Sequence, residues 1–221
     1  MSYAVSWSGG KDSCFACYLA GNDGYKISHL LNFISQESGK VGAHGTEAGL
    51  ISLQSHALGV PLIQRTTTWE NYEHDLKDAV MGLKAAGVDV EGVIFGDIYL
   101  PEHRDWVERV CDDLGVRAVE PLWGKTPDNI LSGFIDAGFE AVIVSARSSL
   151  IDECWIGRIV DKEFITYLKD RAIDLCGENG EYHTLVTAGP IFRGKIQITG
   201  SETVSGDGRW FLNTTGYQLV V

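Results

Sequence analysis

Apolar positions follow two alternating rhythms along the first two thirds of this chain. Residues 2–7 form a short apolar run that predicts a buried strand, and Gly9-Gly10 ends it. Residues 12–20 predict a helix, stopped by Gly21-Asn22-Asp23-Gly24. The same order recurs. A strand over 27–34 precedes a helix from Thr46 to Leu58, closed by Gly59. A strand from Pro61 to Gln64 precedes a helix opened by the capping-box spacing of Thr67-Thr68-Trp69-Glu70 and closed by Gly87. Then come a strand from Val90 to Phe95, a helix from Glu102 to Leu114, a short strand from Arg117 to Val119, a helix capped by Thr126-Pro127 and a strand from Phe139 to Ser145. Strands alternating with helices in this way predict a parallel sheet covered on both faces. From about residue 150 the rhythm changes. A helix near 161–174 is followed by a Gly-rich stretch and by short alternating segments such as Lys195 to Ile198 and Trp210 to Leu212. The pattern predicts an α/β unit over 1–149 and a smaller α+β region over 150–221.

Composition narrows the partners. The chain has 221 residues, 44% hydrophobic and 22% charged, enough apolar material for a sizeable core. Its net charge is -12, and no basic patch interrupts that acidity, which argues against free nucleic acid as a partner. No segment approaches the roughly 18 apolar residues of a membrane span. The five cysteines, Cys14, Cys17, Cys111, Cys154 and Cys176, form no disulfide framework, and Cys14-x-x-Cys17 on a helix reads as packing under the sheet. A cytoplasmic protein is expected, and chains of this size and character often form homodimers.

The chemistry starts at Ser8-Gly9-Gly10-Lys11-Asp12-Ser13, between the first strand and the first helix. In an open parallel sheet, ligands bind beyond the carboxyl ends of strands. Two glycines let the backbone approach an anion closely. The free N–H groups of the helix start then point at it, with the helix dipole in support. Lys11 adds charge, and Ser8 and Ser13 add hydroxyls. The spacing is not that of a Walker loop. The competing reading is a plain Gly-Gly turn with a solvated lysine.

The run Ser8 to Ser13 resembles the PP-loop of the N-type ATP pyrophosphatases, which include GMP synthetase, asparagine synthetase, argininosuccinate synthetase and several tRNA-modifying enzymes. The resemblance implies a five-stranded parallel sheet of the adenine nucleotide α-hydrolase (HUP) type, and cleavage of ATP to AMP and pyrophosphate. A second series narrows the branch. Gly96-Asp97-Ile98, Glu102-His103-Arg104, Trp106 to Cys111, Pro121-Leu122-Trp123-Gly124, Trp155-Ile156-Gly157-Arg158 and Cys176 to Thr184 together resemble the diphthine–ammonia ligase family, in order and over nearly the whole chain. That family implies adenylation of the carboxylate of diphthine on elongation factor 2, then displacement of AMP by ammonia to give diphthamide. ATP and Mg²⁺ are the implied cofactors, and free ammonium the implied nitrogen donor. One run departs from the family pattern. Glu178-Asn179-Gly180-Glu181-Tyr182-His183-Thr184 carries Asn179 where a glycine is usual and His183 where a glutamate is usual. This variant resembles a related subgroup linked to cobalamin metabolism, so a cobalamin-pathway carboxylate is the alternative acceptor. A tRNA-modifying enzyme and a non-catalytic nucleotide sensor are the other readings of the loop.

These resemblances imply roles for single residues. Lys11, Glu178, Glu181 and His183 are the candidate catalytic groups, the acids and His183 binding ammonium or taking its proton. Ser8, Gly9, Gly10, Lys11, Asp12, Ser13, His44, Gly96 and Asp97 are the candidate ATP site, with Asp97 a candidate Mg²⁺ ligand. Glu102, His103, Arg104, Asn179, Gly180, Tyr182 and Thr184 are candidate substrate contacts. An extended run would put Glu181 and His183 on one face and Tyr182 on the other. Each has an ordinary reading too: a solvated hairpin acid, a turn cap, a helix start, a loop histidine.

Overall fold

The computed structural model describes all 221 residues, the Ala43 side chain excepted. Eleven strands and six α-helices are described: β1 (Ser2–Ser6), α1 (Lys11–Asn22), β2 (Ile27–Ser35), β3 (Lys40–Val41), β4 (Thr46–Glu47), α2 (Ala48–Leu58), β5 (Leu62–Thr67), α3 (Tyr72–Ala85), β6 (Val90–Ile94), α4 (Pro101–Leu114), β7 (Arg117–Val119), α5 (Pro127–Asp136), β8 (Glu140–Arg147), α6 (Lys162–Asp170), β9 (Tyr182–Ala188), β10 (Lys195–Gly206) and β11 (Arg209–Val220). The result is a mixed α/β fold with two sheets.

The first sheet has five parallel strands in the order β5-β2-β1-β6-β7. The sequence pattern predicts a purely parallel sheet, and this one is not. A short hairpin, β3–β4, adds two antiparallel strands beside the end of β2. Two-residue strands carry too little periodicity to register in a sequence. The hairpin also displaces the predicted helix start, so Thr46 is in β4 and α2 begins at Ala48.

Alternation along β1 explains the layering. Ala4 faces one core, made with Leu31, Phe33 and the buried faces of α3 and α4. Tyr3, Val5 and Trp7 face the other, made with α1, α2, α5 and the second sheet. The second sheet is antiparallel, in the order β10-β11-β8-β9. β8, which the sequence rhythm places in the parallel series, belongs here instead, paired with β9 and β11. Its run Ala141 to Ala146 is buried throughout, and such a run does not reveal whether its neighbours run parallel or antiparallel.

The predicted caps divide. Thr126 is the N-cap of α5 and accepts from the Asn129 N–H at 3.3 Å, with Pro127 behind it. The capping box at Thr67 does not form. β5 runs on through Thr67, and α3 starts after Asn71. Among the described residues no helix is long and apolar enough to cross a membrane.

The parallel strand order reverses at β1. The chain first builds outward through β2 and β5, then returns to place β6 on the other side of β1. The loops after β1 and β6 therefore splay apart at the sheet's carboxyl edge and open a crevice there. The first of those loops holds Ser8–Gly10 and leads into Lys11–Ser13 at the start of α1, and Gly96-Asp97 is in the second.

Candidate active site

The loop after β1 is held from several sides. Gly9 has φ +83°, a left-handed conformation that favours glycine. A Cβ there would meet Ile51 Cδ1 at 2.3 Å and Gln54 Oε1 at 2.8 Å. The Gly9 carbonyl accepts two hydrogen bonds, from Gln54 Nε2 at 2.9 Å and from the Val186 N–H at 2.9 Å. Gln54 is fully buried on α2. Its Nε2 also donates to the Val186 carbonyl at 2.7 Å, and its Oε1 accepts from Trp7 Nε1 at 2.8 Å. One side chain thus fastens β1, the loop and β9 together. Ser8 and Ser13 face each other across the loop with their hydroxyls 3.1 Å apart, and the Gly10 N–H donates to Ser8 Oγ at 3.2 Å.

Lys11 ties the loop to the C-terminal run. Its backbone N–H donates to Thr184 Oγ1 at 3.0 Å. Its side chain is only 3% exposed, and Nζ donates to Asp12 Oδ2 at 2.8 Å and to the Cys176 carbonyl. The ammonium also lies over the Tyr182 ring, 4.9 Å from its centroid. Burial alone favours the neutral amine, but the Asp12 carboxylate, Tyr182 and Cys176 outweigh it and hold Lys11 above the usual lysine range. The charge therefore stays on Lys11. Tyr182 is buried beneath it, with its hydroxyl donating to the Leu175 carbonyl.

The Cys176–Thr184 run folds over the loop. Asp174 braces its start, accepting from the Glu178 N–H at 2.8 Å, the Cys176 N–H at 3.3 Å and the Tyr99 hydroxyl at 2.6 Å. Glu181 is buried, and its carboxylate turns back to accept from the Asn179 N–H at 3.0 Å and Asn179 Nδ2 at 3.3 Å. Glu178 is half-buried. Burial first, then the nearby Asp12, Asp97 and Asp174 charges, against the pull of Lys11, push its carboxyl up to about 7. Two carboxyls of one turn thus have different environments. Glu181 is committed to the turn itself, and Glu178 is poised to exchange a proton near neutrality.

Two imidazoles complete the loop's surroundings. His44 ends the short 3-10 turn between β3 and β4, and its Nδ1–H donates to the Thr184 carbonyl at 3.1 Å. That bond leaves Nε2 as the basic nitrogen. His44 Cε1 lies 2.7 Å from where a Gly10 Cβ would be, so only glycine fits beneath it. The His183 ring is 4.7 Å from the His44 ring, tilted by 33°. Burial holds His44 down at about 4 and His183 at about 2, with Lys11 and Arg209 adding to the effect. Both rings are neutral at physiological pH.

Gly96 lets the end of β6 come against the start of α1. A Cβ there would meet the Asp12 carbonyl carbon and the Ser13 nitrogen at 2.8 Å. Asp97 follows, with Oδ1 3.1 Å from His103 Nδ1, and this contact holds His103 above the usual histidine range. The structure therefore gathers Ser8–Ser13, His44, Gly96, Asp97 and Glu178–Thr184 around one crevice. His103 reaches its rim through Asp97. Glu102 is exposed in the first turn of α4. Arg104 points elsewhere, donating to Glu108 at 2.7 Å and lying over the Trp123 ring, in a separate hollow with Glu120. Cys14 and Cys17 are buried and free under the sheet.

Sequence reasoning misses Gln54, Arg147 and Arg209. Gln54 does leave a trace: it is a polar residue on the same helix stripe as Leu50, Ile51, Ala57 and Leu58. The two arginines lie on β8 and β11, and only the sheet pairing brings them to the site.

With that geometry in place, comparison with known proteins is informative. Residues 1–118 match the family model of the diphthamide synthase N-terminal domain, and residues 126–220 that of the diphthamide synthase C-terminal domain. The diphthine–ammonia ligase of Danio rerio is 29% identical over 222 residues, covering 89% of this chain and 86% of the relative. That of Homo sapiens is 28% identical over 228 residues, covering 92% and 85%. A solved structure described as a predicted subunit of tRNA methyltransferase from Methanocaldococcus jannaschii aligns over 86% of this chain and 97% of its own, at 16% identity with a TM-score of 0.46, too low to carry any inference. The two family models together take in nearly the whole chain, and they match the two parts that the Lys11–Thr184 and Gly9–Val186 bonds join into one crevice: this chain belongs to the diphthamide synthase family.

Proposed function

We propose that this chain is an AMP-forming carboxylate–ammonia ligase that converts diphthine on elongation factor 2 to diphthamide. The observation that carries the reading is the union of the phosphate loop with the Cys176–Thr184 run through Lys11. It puts a loop shaped for phosphate beside Glu178, a carboxyl that titrates near neutrality. The relatives named diphthine–ammonia ligase support the acceptor. The parallel order β5-β2-β1-β6-β7, with the loop after β1, supports a HUP-type sheet.

In the first step a carboxylate oxygen of the acceptor attacks the α-phosphorus of ATP, and pyrophosphate leaves. In the second, ammonia attacks the acyl carbon, AMP leaves with the bond electrons, and one proton is lost. A carboxylate is a poor electrophile, and adenylation supplies the leaving group. The backbone amides at the start of α1 and the Lys11 charge favour the phosphates. Glu178, whose carboxyl burial pushes up to about 7, takes the proton from ammonium or from the attacking nitrogen.

For Mg²⁺, Asp12 Oδ1 is a buried carboxylate oxygen without a hydrogen-bond partner, and Asp97 is on the same rim. Among the described residues no group of three metal-ligating side chains is preassembled. This fits an ion that arrives on the nucleotide phosphates and takes only one or two carboxylates from the chain. Such an ion would neutralise charge on the departing pyrophosphate.

The decisive experiment measures nucleotide products with ATP, ammonium and diphthine-bearing elongation factor 2. AMP and pyrophosphate should form in equal amounts and depend on both acceptor and ammonium. ADP and phosphate would overturn the reading. His183 favours one second reading, a cobalamin-pathway carboxylate as acceptor, and the same assay with corrinoid acids separates the two.

A further inference from the structure

Arginine placement is unusual at one point of the second sheet. In a chain with 30 acidic and 18 basic residues, Arg104, Arg109, Arg158 and Arg171 each hold a carboxylate. Arg147 and Arg209 form no ion pair among the described residues. They nonetheless stand directly opposite each other in the β8–β11 register. Like charges in that relation destabilise an antiparallel pair.

Both side chains reach the same turn of backbone. Arg147 Nη2 donates to the Asn179 carbonyl, and Arg209 Nη1 donates to the Gly180 carbonyl at 2.9 Å. Arg209 Nη2 also donates to Ser145 Oγ at 3.3 Å. The Arg209 Nε–H is buried with no acceptor. A buried donor left unpaired costs about 1–3 kcal/mol. Two unfavourable features, facing like charges and an orphan donor, therefore coincide within a few residues of the phosphate loop. An anion placed there would relieve both.

The neighbouring strand gives that place its relation to the crevice. The Glu181 carbonyl accepts from the Arg147 N–H at 2.8 Å. His183, two residues on, is opposite Ser145 and against His44. Thr184, the next residue, holds the Lys11 N–H. The arginine pair is thus one short strand segment away from the loop, on the side of the second sheet.

We propose that Arg147 and Arg209, with His183 beside them, form an anion site that binds the carboxylate of the acceptor. The proposal rests on the ligase reading for the identity of that anion. Guanidinium forks match the two oxygens of a carboxylate and keep it ionised, the state in which its oxygen attacks phosphorus. A neutral imidazole can donate to the same group without adding a third charge. The nucleotide phosphates already have the α1 amides and Lys11, so the arginines are free for the second substrate.

Two measurements test this. In the first, acetate is titrated into the whole protein while the ring resonances of His44 and His183 are followed by NMR. Wild type should show a saturable shift. Arg209→Gln should weaken it by about tenfold or more, and Arg209→Lys, which keeps charge without the fork, should fall between. Arg147→Gln, at an exposed position, serves as a second variant should Arg209→Gln fail to fold. No saturable shift in wild type, or equal shifts in wild type and variants, overturns the site. So does its abolition by saturating ATP, which would make the pair a phosphate site. In the second measurement, Arg209→Gln should raise KM for the acceptor by about tenfold and leave KM for ATP within about twofold. An equal rise for both overturns the assignment to the acceptor. If wild type makes no acceptor-dependent AMP, the ligase reading fails, and the acetate titration still decides the anion site.

Discussion

Gln54 holds the carbonyl of Gly9, 45 residues earlier, with its Nε2 at 2.9 Å, so α2 fixes the shape of the phosphate loop. Gln54→Leu keeps the volume and removes three hydrogen bonds at once. The Gly9 carbonyl keeps its Val186 partner, but Trp7 Nε1 is left buried and unpaired. Each buried group orphaned in this way costs about 1–3 kcal/mol. We expect Gln54→Leu to lose about 2–4 kcal/mol of stability in urea unfolding, with ATP affinity falling further than stability alone accounts for. A variant that melts like wild type would refute the brace.

Gly10 separates steric from conformational demands. Its φ is −83°, open to any residue, so Gly10→Ala meets only the His44 ring at 2.7 Å and the Thr184 carbonyl at 3.1 Å. Gly10→Ala should weaken ATP binding by about tenfold, measured by calorimetry, and His44→Ala on the same chain should recover part of it. At Gly9 the left-handed backbone adds strain that removing Ile51 does not relieve. Recovery at Gly9 equal to that at Gly10 would contradict this difference.

Lys11 links the two parts of the site by charge. Lys11→Met leaves the Asp12 carboxylate without its partner and the Cys176 carbonyl without its donor. AMP formation should fall by at least about a hundredfold. Amide exchange over residues 176–181 should also accelerate, because the turn is anchored through that carbonyl. Slow turnover with unchanged exchange would mean that Lys11 acts on the nucleotide alone.

Glu120 provides a pH test away from the crevice. Its side chain is 8% exposed, and Oε1 has no hydrogen-bond partner. Burial first, then the Asp97 charge, push it from 4.5 up to about 7, although Arg104 draws it down. Between those values the native chain holds a proton that the unfolded chain has released. Stability therefore falls as pH rises from about 4.5 to 7, and the loss is complete above that. Glu120→Gln should match wild type near pH 5 and exceed it by about 1–3 kcal/mol at pH 8. Equal stability at both pH values would show that the carboxyl is solvated.

Local pattern made much of this molecule readable before its shape was known. The sequence places Ser8–Ser13 at a strand-to-helix junction, and in the structure it follows β1 and runs into the first turn of α1. Thr126-Pro127 capped a helix in both. Those features depend on residues within one or two turns of each other. Most of the failures involve partners far apart, the Asn179–Glu181 contact being local. β8 looked like one more parallel strand, because a buried run carries no mark of its neighbour's direction. Thr67 resembled a cap, but pairing of Ser35 with Thr67 extends β5 through it. Glu181 looked like a free acid, yet Asn179 occupies it. Arg147 and Arg209 are 62 residues apart, and no spacing rule joins them; only the β8–β11 register does.

The bonds from Gly9 and Lys11 to Cys176, Thr184 and Val186 also bear on how the protein is made. A ribosome synthesising this chain makes the Ser8–Ser13 segment long before its C-terminal partners. Cys176, Thr184 and Val186 arrive more than 160 residues later. A nascent chain that reaches about residue 150 can pair β1 with β2 and β6 and hold the Gly9 carbonyl through Gln54, but its nucleotide loop lacks the ties to Cys176, Thr184 and Val186. Full competence to bind ATP should thus appear abruptly, only when β9 clears the exit tunnel.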